Sequence, residues 1–277
     1  MTDPDANGIG PRGEADPDRP SMARMYDYLL GGKDNYDVDK QQAEKAKRAY
    51  PGIDEAARIN RMALHRMARY LAEQTDIRQF IDIGTGIPTE PNFHQIIRHS
   101  KPDARFLYTD FDKTVLRHVE GLVEDDPEQR IAYIHADVRE PHKIIKAARA
   151  HLDFDEPIAL SLVAILHFIK EAENPYDIVR TLTDPLVPGS ALAVTQVTGD
   201  FDAEAGEGLV KVYGEDGLQA RLRSHAEVGR FFDGFELVPP GLVVAPKWHP
   251  ELAVPTPWPP PEGSDRTPVY AGLARKP

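Results

Sequence analysis

The chain has 277 residues, a hydrophobic content of 41% and a formal net charge of −12. This length suffices for one large α/β domain with a buried core, and the absence of cysteine excludes disulfides, zinc–thiolate sites and thiol nucleophiles. The excess of acids disfavours nucleic acid as a partner, because phosphate contacts need clustered Lys and Arg.

Residues 1–20 are rich in Pro, Gly and Asp and contain few side chains that a fold could bury. This stretch lacks the apolar core of a signal peptide, and no later segment is long and apolar enough for a membrane span. We therefore expect a disordered tail over residues 1–20 of a cytoplasmic protein.

Three helices are predicted next, in an N-terminal extension over residues 21–75. Ser21 is a typical N-cap for the first helix, and Gly31-Gly32 are expected to end it. Because glycines permit movement, and aromatic and polar side chains surround them, we expect this extension to close over a ligand as a lid. The alternative is a helix–loop–helix packed on the sheet. The candidate lid and substrate residues are Tyr26, Gly31, Gly32, Asn35 and Tyr36.

Strands and helices alternate from residue 76 onward. Strands are predicted near 79–83, 105–109, 131–135, 157–163, 190–197, 235–238 and 268–274, with helices at about 89–99, 113–123, 141–150, 175–183 and 217–232. This alternation predicts an α/β, Rossmann-like, seven-stranded and mostly parallel sheet with helices on both faces, over residues 76–277. The last strand follows the proline-rich segment 246–261, and we expect it to lie antiparallel.

The segment FIDIGTGIPTEP, residues 80–91, places a glycine turn directly after the first strand. Gly84 and Gly86 would let the backbone approach a ligand closely. An NAD-type site would have a third glycine where this chain has Thr89, and Asp82 would repel a pyrophosphate. The turn therefore disfavours a dinucleotide and suits a cationic ligand.

The next two strands also end in acids, Asp110 and Asp137. A carboxylate in the first position can accept both ribose hydroxyls, and one in the second can accept an adenine amino group. Each acid alone is better explained as a helix cap or a turn residue. Together with Asp82 they predict a site for a nucleoside that carries positive charge and no phosphate.

This set of residues resembles the cofactor site of class I S-adenosylmethionine-dependent methyltransferases. The segments PSMARMYDYLLGGKDNYDVDK, DIGTGIPTEPN and GLVVAPKWHP resemble one branch in particular, a largely actinobacterial family of predicted methyltransferases with undefined substrates. The resemblance extends over nearly everything from residue 20 onward. It implies S-adenosylmethionine as the cofactor.

The resemblance also implies roles for individual residues. Gly84 and Gly86 would lie under the amino-acid portion of the cofactor, and Asp82 would reach its ammonium group. Asp110 would hold the ribose hydroxyls. The further cofactor-binding residues that it implies are Phe111 beside the adenine ring, Asp137 and the Val138 backbone at the adenine amino group, and Thr85 and Ser161. The usual third glycine is replaced by Pro88, which removes one N–H donor from the turn.

The methyl acceptor is less visible in the sequence. The segment that follows the fourth strand, Ser161 to Phe168, lacks the Asn-Pro-Pro-Tyr pattern of exocyclic-amine methyltransferases. His167 is a candidate catalytic base, although packing between Leu166 and Phe168 explains it equally well. We find no ligand spacing for a metal. The sequence thus predicts methylation of a small molecule at oxygen or nitrogen. The alternatives are a non-catalytic S-adenosylmethionine-binding protein and an NAD-type oxidoreductase.

Overall fold

The computed structural model describes residues 18–124, 126, 128–215, 217–259 and 267–277. Most of the predicted tail, residues 1–17, lies outside the described residues. No helix within the described ranges combines the length and the apolar character that a membrane crossing requires.

The three predicted N-terminal helices are present as α1 (Met22–Leu30), α2 (Asp37–Ala49) and α3 (Ile53–Gln74). Ser21 caps α1 and accepts the N–H of Arg24 with its side chain. Gly31 ends the helix with φ +86°, a conformation that favours glycine. The predicted starting and ending signals of α1 are therefore confirmed.

Within the described ranges, the central sheet has eight strands. They are β1 (Gln79–Ile83), β2 (Arg105–Asp110), β3 (Ile131–His135), β4 (Ile158–Val163), β5 (Ala191–Val197), β6 (Glu236–Leu237), β7 (Val243–Val244) and β8 (Val269–Arg275). The order is β3-β2-β1-β4-β5-β8-β6, and β7 pairs with β8. The first five strands are parallel, and β8 runs antiparallel to β5 as predicted. The predicted count of seven misses β7, which is too short to produce a hydrophobic pattern.

Six further helices accompany the sheet: α4 (Phe93–Arg98), α5 (Lys113–Glu124), α6 (Pro141–Ala148), α7 (Pro175–Thr183), α8 (Ala203–Glu215) and α9 (His225–Gly229). The predicted helix over 217–232 is present only in its second half, as α9 and a 3-10 turn at Arg230–Phe232, and α8 was not predicted. Gly208 lowers the helix propensity of this segment, yet it allows close packing on α2. A Cβ on Gly208 would lie 3.4 Å from the carbonyl oxygen of Ala49.

Two hydrophobic clusters cover the two faces of the sheet. One joins α1, α2 and α3 to the face that carries Phe80 and Phe106, and the other joins α6 and α7 to the face that carries Ile81 and Leu107. The N-terminal helices thus share a core with the sheet. Since β1, β2, β4 and β5 are parallel, their carboxyl ends lie at one edge, where α/β sheets bind ligands.

The proline-rich segment after β7 packs on the N-terminal helices. Arg66 of α3 donates to the carbonyls of Trp248 and Ala245, at 2.7 and 2.6 Å. Trp258 donates its indole N–H to the carbonyl of Leu30 at 3.3 Å. These contacts attach the proline-rich segment to α1 and α3, so the segment has a structural role.

Candidate active site

The turn after β1 is held against β2 by backbone hydrogen bonds. The N–H groups of Gly84 and Thr85 donate to the carbonyl of Thr109, at 2.7 and 3.2 Å. Gly84 and Gly86 have φ values of +74° and +66°, which L side chains rarely adopt. The sequence therefore needs glycine at both positions, as the strand–turn pattern predicts.

Asp82, the penultimate residue of β1, is a buried carboxylate with a 7% exposed side chain. The hydroxyl of Ser161 in β4 donates to it, which is possible because Asp82 and Ser161 are partners in the parallel register. Burial raises the pKa of Asp82 to about 6, while the hydrogen bond from Ser161 and the charge of Arg61 oppose the shift. Ser161 is itself fully buried and positions Asp82 from behind.

Asp110, the last residue of β2, connects the glycine turn to the following loop. One of its carboxylate oxygens accepts the N–H of Gly86 and the other accepts the N–H of Asp112, both at 2.9 Å. Burial raises the pKa of Asp110 to about 7. Each oxygen keeps a second lone pair, so the carboxylate can still accept hydroxyl groups.

One cavity brings most of these residues together. Of the predicted cofactor residues, Asp82, Gly84, Thr85, Gly86, Asp110 and Phe111 line it. The side chains of Asp112 and Arg61 line the same cavity and were not assigned there by the sequence. Its charged groups are therefore three carboxylates and one guanidinium, which gives the wall a negative balance suited to a cation.

The structure does not bring Asp137 and Val138 into this lining. The carboxylate of Asp137 pairs with the guanidinium of Arg139 at 3.2 Å, and Arg139 also contacts Glu173 at 2.7 Å. The backbone N–H of Arg139 donates to the same carboxylate at 2.8 Å. Asp137 is thus engaged locally, as its alternative interpretation as a turn residue predicts.

Of the candidate lid residues, Tyr26 lines the cavity, whereas Gly31, Gly32, Asn35 and Tyr36 lie away from its wall. Gly32 is required by Asp27, because a Cβ at this position would overlap the Asp27 carboxylate. That carboxylate also accepts the side-chain N–H of Asn35 at 2.7 Å. The two glycines therefore close a tight loop at the end of α1.

A chain of hydrogen bonds attaches α1 to the cavity wall. Tyr26 donates to the carbonyl of Ala57 at 3.0 Å and accepts from Asn60 at 2.7 Å. The side-chain oxygen of Asn60 accepts the hydroxyl of Thr195 at 2.5 Å, and that hydroxyl accepts the N–H of Ala164 at 2.9 Å. This chain connects α1 and α3 with the ends of β4 and β5.

His167 lies in a single 3-10 turn after β4 and lines the cavity, where the sequence predicts a base. Its ring packs against Phe168 with centroids 4.1 Å apart, and its Nδ1 has no hydrogen-bond partner among the described residues. Burial lowers the pKa of His167 to about 3, with a further contribution from the charge of Arg223. The imidazole is therefore neutral near pH 7.

Comparison with known proteins agrees with the ligand chemistry that the residues of this cavity indicate. Residues 10–277 match the protein family described as S-adenosyl methyltransferase. The chain belongs to this family. The family match supports S-adenosylmethionine as the cofactor of this methyltransferase and disfavours the oxidoreductase interpretation.

The methyltransferase is also similar to two solved structures from actinobacteria. A DUF574 family protein from Streptomyces avermitilis MA-4680 is 39% identical, with a TM-score of 0.88 and coverage of 95% of this chain and 99% of that chain. A candidate methyltransferase from Thermobifida fusca YX is 37% identical, with a TM-score of 0.85 and coverage of 94% and 96%. A comparison with curated proteins found no match.

Arg61 and Tyr213 also line the methyltransferase cavity and, like Asp112, were not predicted from the sequence. Arg61 of α3 donates to the carbonyls of Thr89 and Pro91, and its Nε has no partner among the described residues. Tyr213 of α8 is 6% exposed and lines the cavity.

Proposed function

We propose that this methyltransferase transfers a methyl group to an oxygen or nitrogen atom of a small molecule, in the cavity at the carboxyl edge of its sheet. The observation that supports this most strongly is the joint presence of Asp82, Asp110 and Arg61 in one buried wall. S-Adenosylmethionine carries an ammonium, a carboxylate and a ribose, and these three side chains have the complementary chemistry.

The assignment of each group follows from charge and hydrogen-bonding capacity. Asp82 would hold the ammonium group, and Arg61, whose Nε is unpartnered within the described chain, would hold the carboxylate. Asp110 would accept the ribose hydroxyls, since Gly86 and Asp112 already fix its orientation. Phe111 would contact the adenine ring. The adenine contacts of Asp137 and Val138 remain a prediction. The ion pair between Asp137 and Arg139 competes with an adenine contact of Asp137.

Methyl transfer from S-adenosylmethionine needs little chemical assistance from the protein. When bound, S-adenosylmethionine supplies a methyl group whose bond to cationic sulfur breaks, its electron pair passing to sulfur, as an acceptor lone pair bonds to the carbon. The protein positions the two reactants and excludes water, and such positioning can supply most of the barrier reduction. The buried wall, with Asp82 and Asp110 held from several sides, suits that task.

His167 would remove the acceptor proton. A neutral imidazole whose conjugate acid has a pKa of about 3 is a weak base toward a resting hydroxyl group. The proton becomes strongly acidic as the oxygen or nitrogen acquires its new bond, and a weak base is then sufficient. The Nδ1 of His167 has no hydrogen-bond partner among the described residues. A cytoplasmic location stays a prediction from the sequence.

The direct test is calorimetric titration with S-adenosylmethionine and S-adenosylhomocysteine. We expect saturable binding by the native protein, and a loss of affinity of about 100-fold in Asp110→Ala, because two hydrogen bonds to a charged group are removed. Asp177→Ala is the control, since Asp177 is an exposed residue that pairs with Arg180 on α7. Absence of binding by the native protein at millimolar ligand would refute the proposal.

A further inference from the structure

The composition of the uncharged part of the cavity wall limits which methyl acceptors can bind there. All charged side chains of the wall belong to Arg61, Asp82, Asp110 and Asp112. The parts contributed by α1, α8, Ala220 and Leu222 contain apolar side chains and two tyrosines, Tyr26 and Tyr213. A charged acceptor would lose its hydration there without gaining a partner, so this wall favours an uncharged molecule.

The two tyrosines of this wall differ in their hydrogen bonds. The hydroxyl of Tyr26 is satisfied, because it donates to Ala57 and accepts from Asn60. Tyr213 is also more than nine-tenths buried, and burial alone raises the pKa of its hydroxyl, with no hydrogen bond to a described residue contributing. Because this hydroxyl is not among the occluded polar atoms that lack a partner in the described chain, it keeps access to the cavity and can bond to a molecule that fills it.

Tyr213 is held rigidly enough to select a ligand. It lies in α8, one helical turn after Leu209, which is 2% exposed and lines the same cavity. The side chain of Gln42 donates to the carbonyl of the neighbouring Val212 at 3.0 Å, which ties α8 to α2. The tyrosine ring is therefore fixed at one place in the wall, and its hydroxyl can orient a polar group of a bound molecule.

His167 provides a second unsatisfied polar atom in the same wall, since its Nδ1 is buried without a partner in the described chain. Phe168 lies beside it and also lines the cavity. An acceptor hydroxyl or amine therefore has Tyr213 as a polar partner in this wall, whereas most of its remaining surface meets apolar side chains. This is the usual composition of a small-molecule site, with few polar groups that fix orientation.

We propose that the methyl acceptor is an uncharged, mainly apolar small molecule with a hydroxyl or amine group, and that Tyr213 binds and orients that group. The inference rests on the proposed function, because it divides one cavity between cofactor and acceptor. It adds a substrate class and a residue that selects it. Carboxylate-bearing acceptors are excluded by the three aspartates of the wall as well as by its apolar part.

The test uses three probes that share a methyl-substituted benzene ring: p-cresol with a hydroxyl group, toluene without a polar group and 4-methylbenzoate with a carboxylate. Their binding is measured by ligand-observed NMR titrations of the protein saturated with S-adenosylhomocysteine. We expect p-cresol to bind about five-fold more tightly than toluene, as one neutral hydrogen bond predicts, and 4-methylbenzoate to bind most weakly. Tyr213→Phe should remove the preference for p-cresol and leave toluene and S-adenosylhomocysteine binding unchanged.

Tyr50→Phe is the matched control. Tyr50 is equally buried, at 6% exposure, belongs to the same core cluster and does not line the cavity. This variant should retain the native preference for p-cresol.

Three results would overturn the proposal: an unchanged preference in Tyr213→Phe, tightest binding of 4-methylbenzoate, or no binding of any probe to protein that binds S-adenosylhomocysteine. Failure to bind S-adenosylhomocysteine would instead refute the proposed function.

Discussion

The side chain of Ile165 occupies the space beside Gly84 that a Cβ at that glycine would need, so the loop after β4 packs directly on the turn after β1. Gly84 also has φ +74°. Gly86 has a similar φ, +66°, but a Cβ there would meet no atom within 4 Å. The two glycines of the turn are therefore required for different reasons, and substitution can separate them.

We expect Gly86→Ala to lower the free energy of unfolding by about 1–2 kcal/mol, the cost of a left-handed residue. Gly84→Ala should add about 1–3 kcal/mol of overpacking against Ile165. The double variant Gly84→Ala/Ile165→Ala should recover the overpacking part, although it loses the packing of Ile165 itself. Urea denaturation measures all of these values. Equal destabilisation by the two single alanine variants would contradict the role given to Ile165.

A second prediction separates the amino-acid end of the cofactor from its nucleoside end. Arg61→Ala should weaken S-adenosylhomocysteine binding about ten-fold or more, since a charge-assisted hydrogen bond to the carboxylate is lost. Binding of 5′-methylthioadenosine, which has no amino-acid group, should stay within about two-fold of the native value.

Asp110→Ala provides the contrast in this experiment, because it should weaken both ligands alike. Calorimetric titration of the two variants with the two ligands gives the four values needed. If Arg61→Ala weakens both ligands equally, Arg61 supports the turn through Thr89 and Pro91 and does not contact the carboxylate.

Much of this site could be predicted from the sequence because its parts are local. A strand, a glycine turn and an acid follow one another within a few residues, and parallel pairing brings Asp82 and Asp110 to one edge. The register of β1 and β4 even places Ser161 beside Asp82, although as a support for its carboxylate.

Arg61 and Tyr213 could not be found this way, because long-range packing brings them to the cavity. Arg61 is 7% exposed on a helix that is buried on several sides, so no amphipathic stripe marks it. Tyr213 lies on α8, a helix that the sequence pattern did not predict and in which Gly208 packs against Ala49 of α2. A sequence pattern indicates the local conformational preference of a segment, whereas these contacts form only when the helices pack together.

The buried ion pair between α1 and α2 gives a third prediction. Asp39 is fully buried and accepts the guanidinium of Arg24 at 2.6 Å and the backbone N–H groups of Ser21 and Tyr36, at 2.9 and 2.8 Å. Asp39→Ala leaves a buried cation with less compensation and should lower the free energy of unfolding by about 3–5 kcal/mol.

Asp37→Ala is the control for this measurement. Asp37 is two residues away, its side chain is 87% exposed, and it pairs with Lys40. Its removal should change the free energy of unfolding by less than about 1 kcal/mol, because exposed pairs contribute little. A urea titration in which Asp39→Ala and Asp37→Ala behave alike would show that the buried pair does not hold α1 in place.

The last prediction concerns pH. Burial raises the pKa of Asp82 to about 6 and that of Asp110 to about 7, above the ordinary value near 4 of the unfolded chain. Between about pH 4 and 7 the folded protein therefore binds more protons than the unfolded one. The stability that these two groups contribute is complete below pH 4 and is lost as the pH rises through 7.

Ligand affinity should follow the opposite course. An ammonium group and two ribose hydroxyls are bound by ionised carboxylates, so the association constant of S-adenosylhomocysteine should rise between pH 5.5 and 8 and then level off. Its logarithm should gain up to about two units per pH unit below pH 6, one for each proton released. Asp82→Asn should reduce this slope to about one. Calorimetry at four pH values measures both slopes, and an affinity that is constant from pH 5.5 to 8 would mean that neither carboxylate titrates on binding.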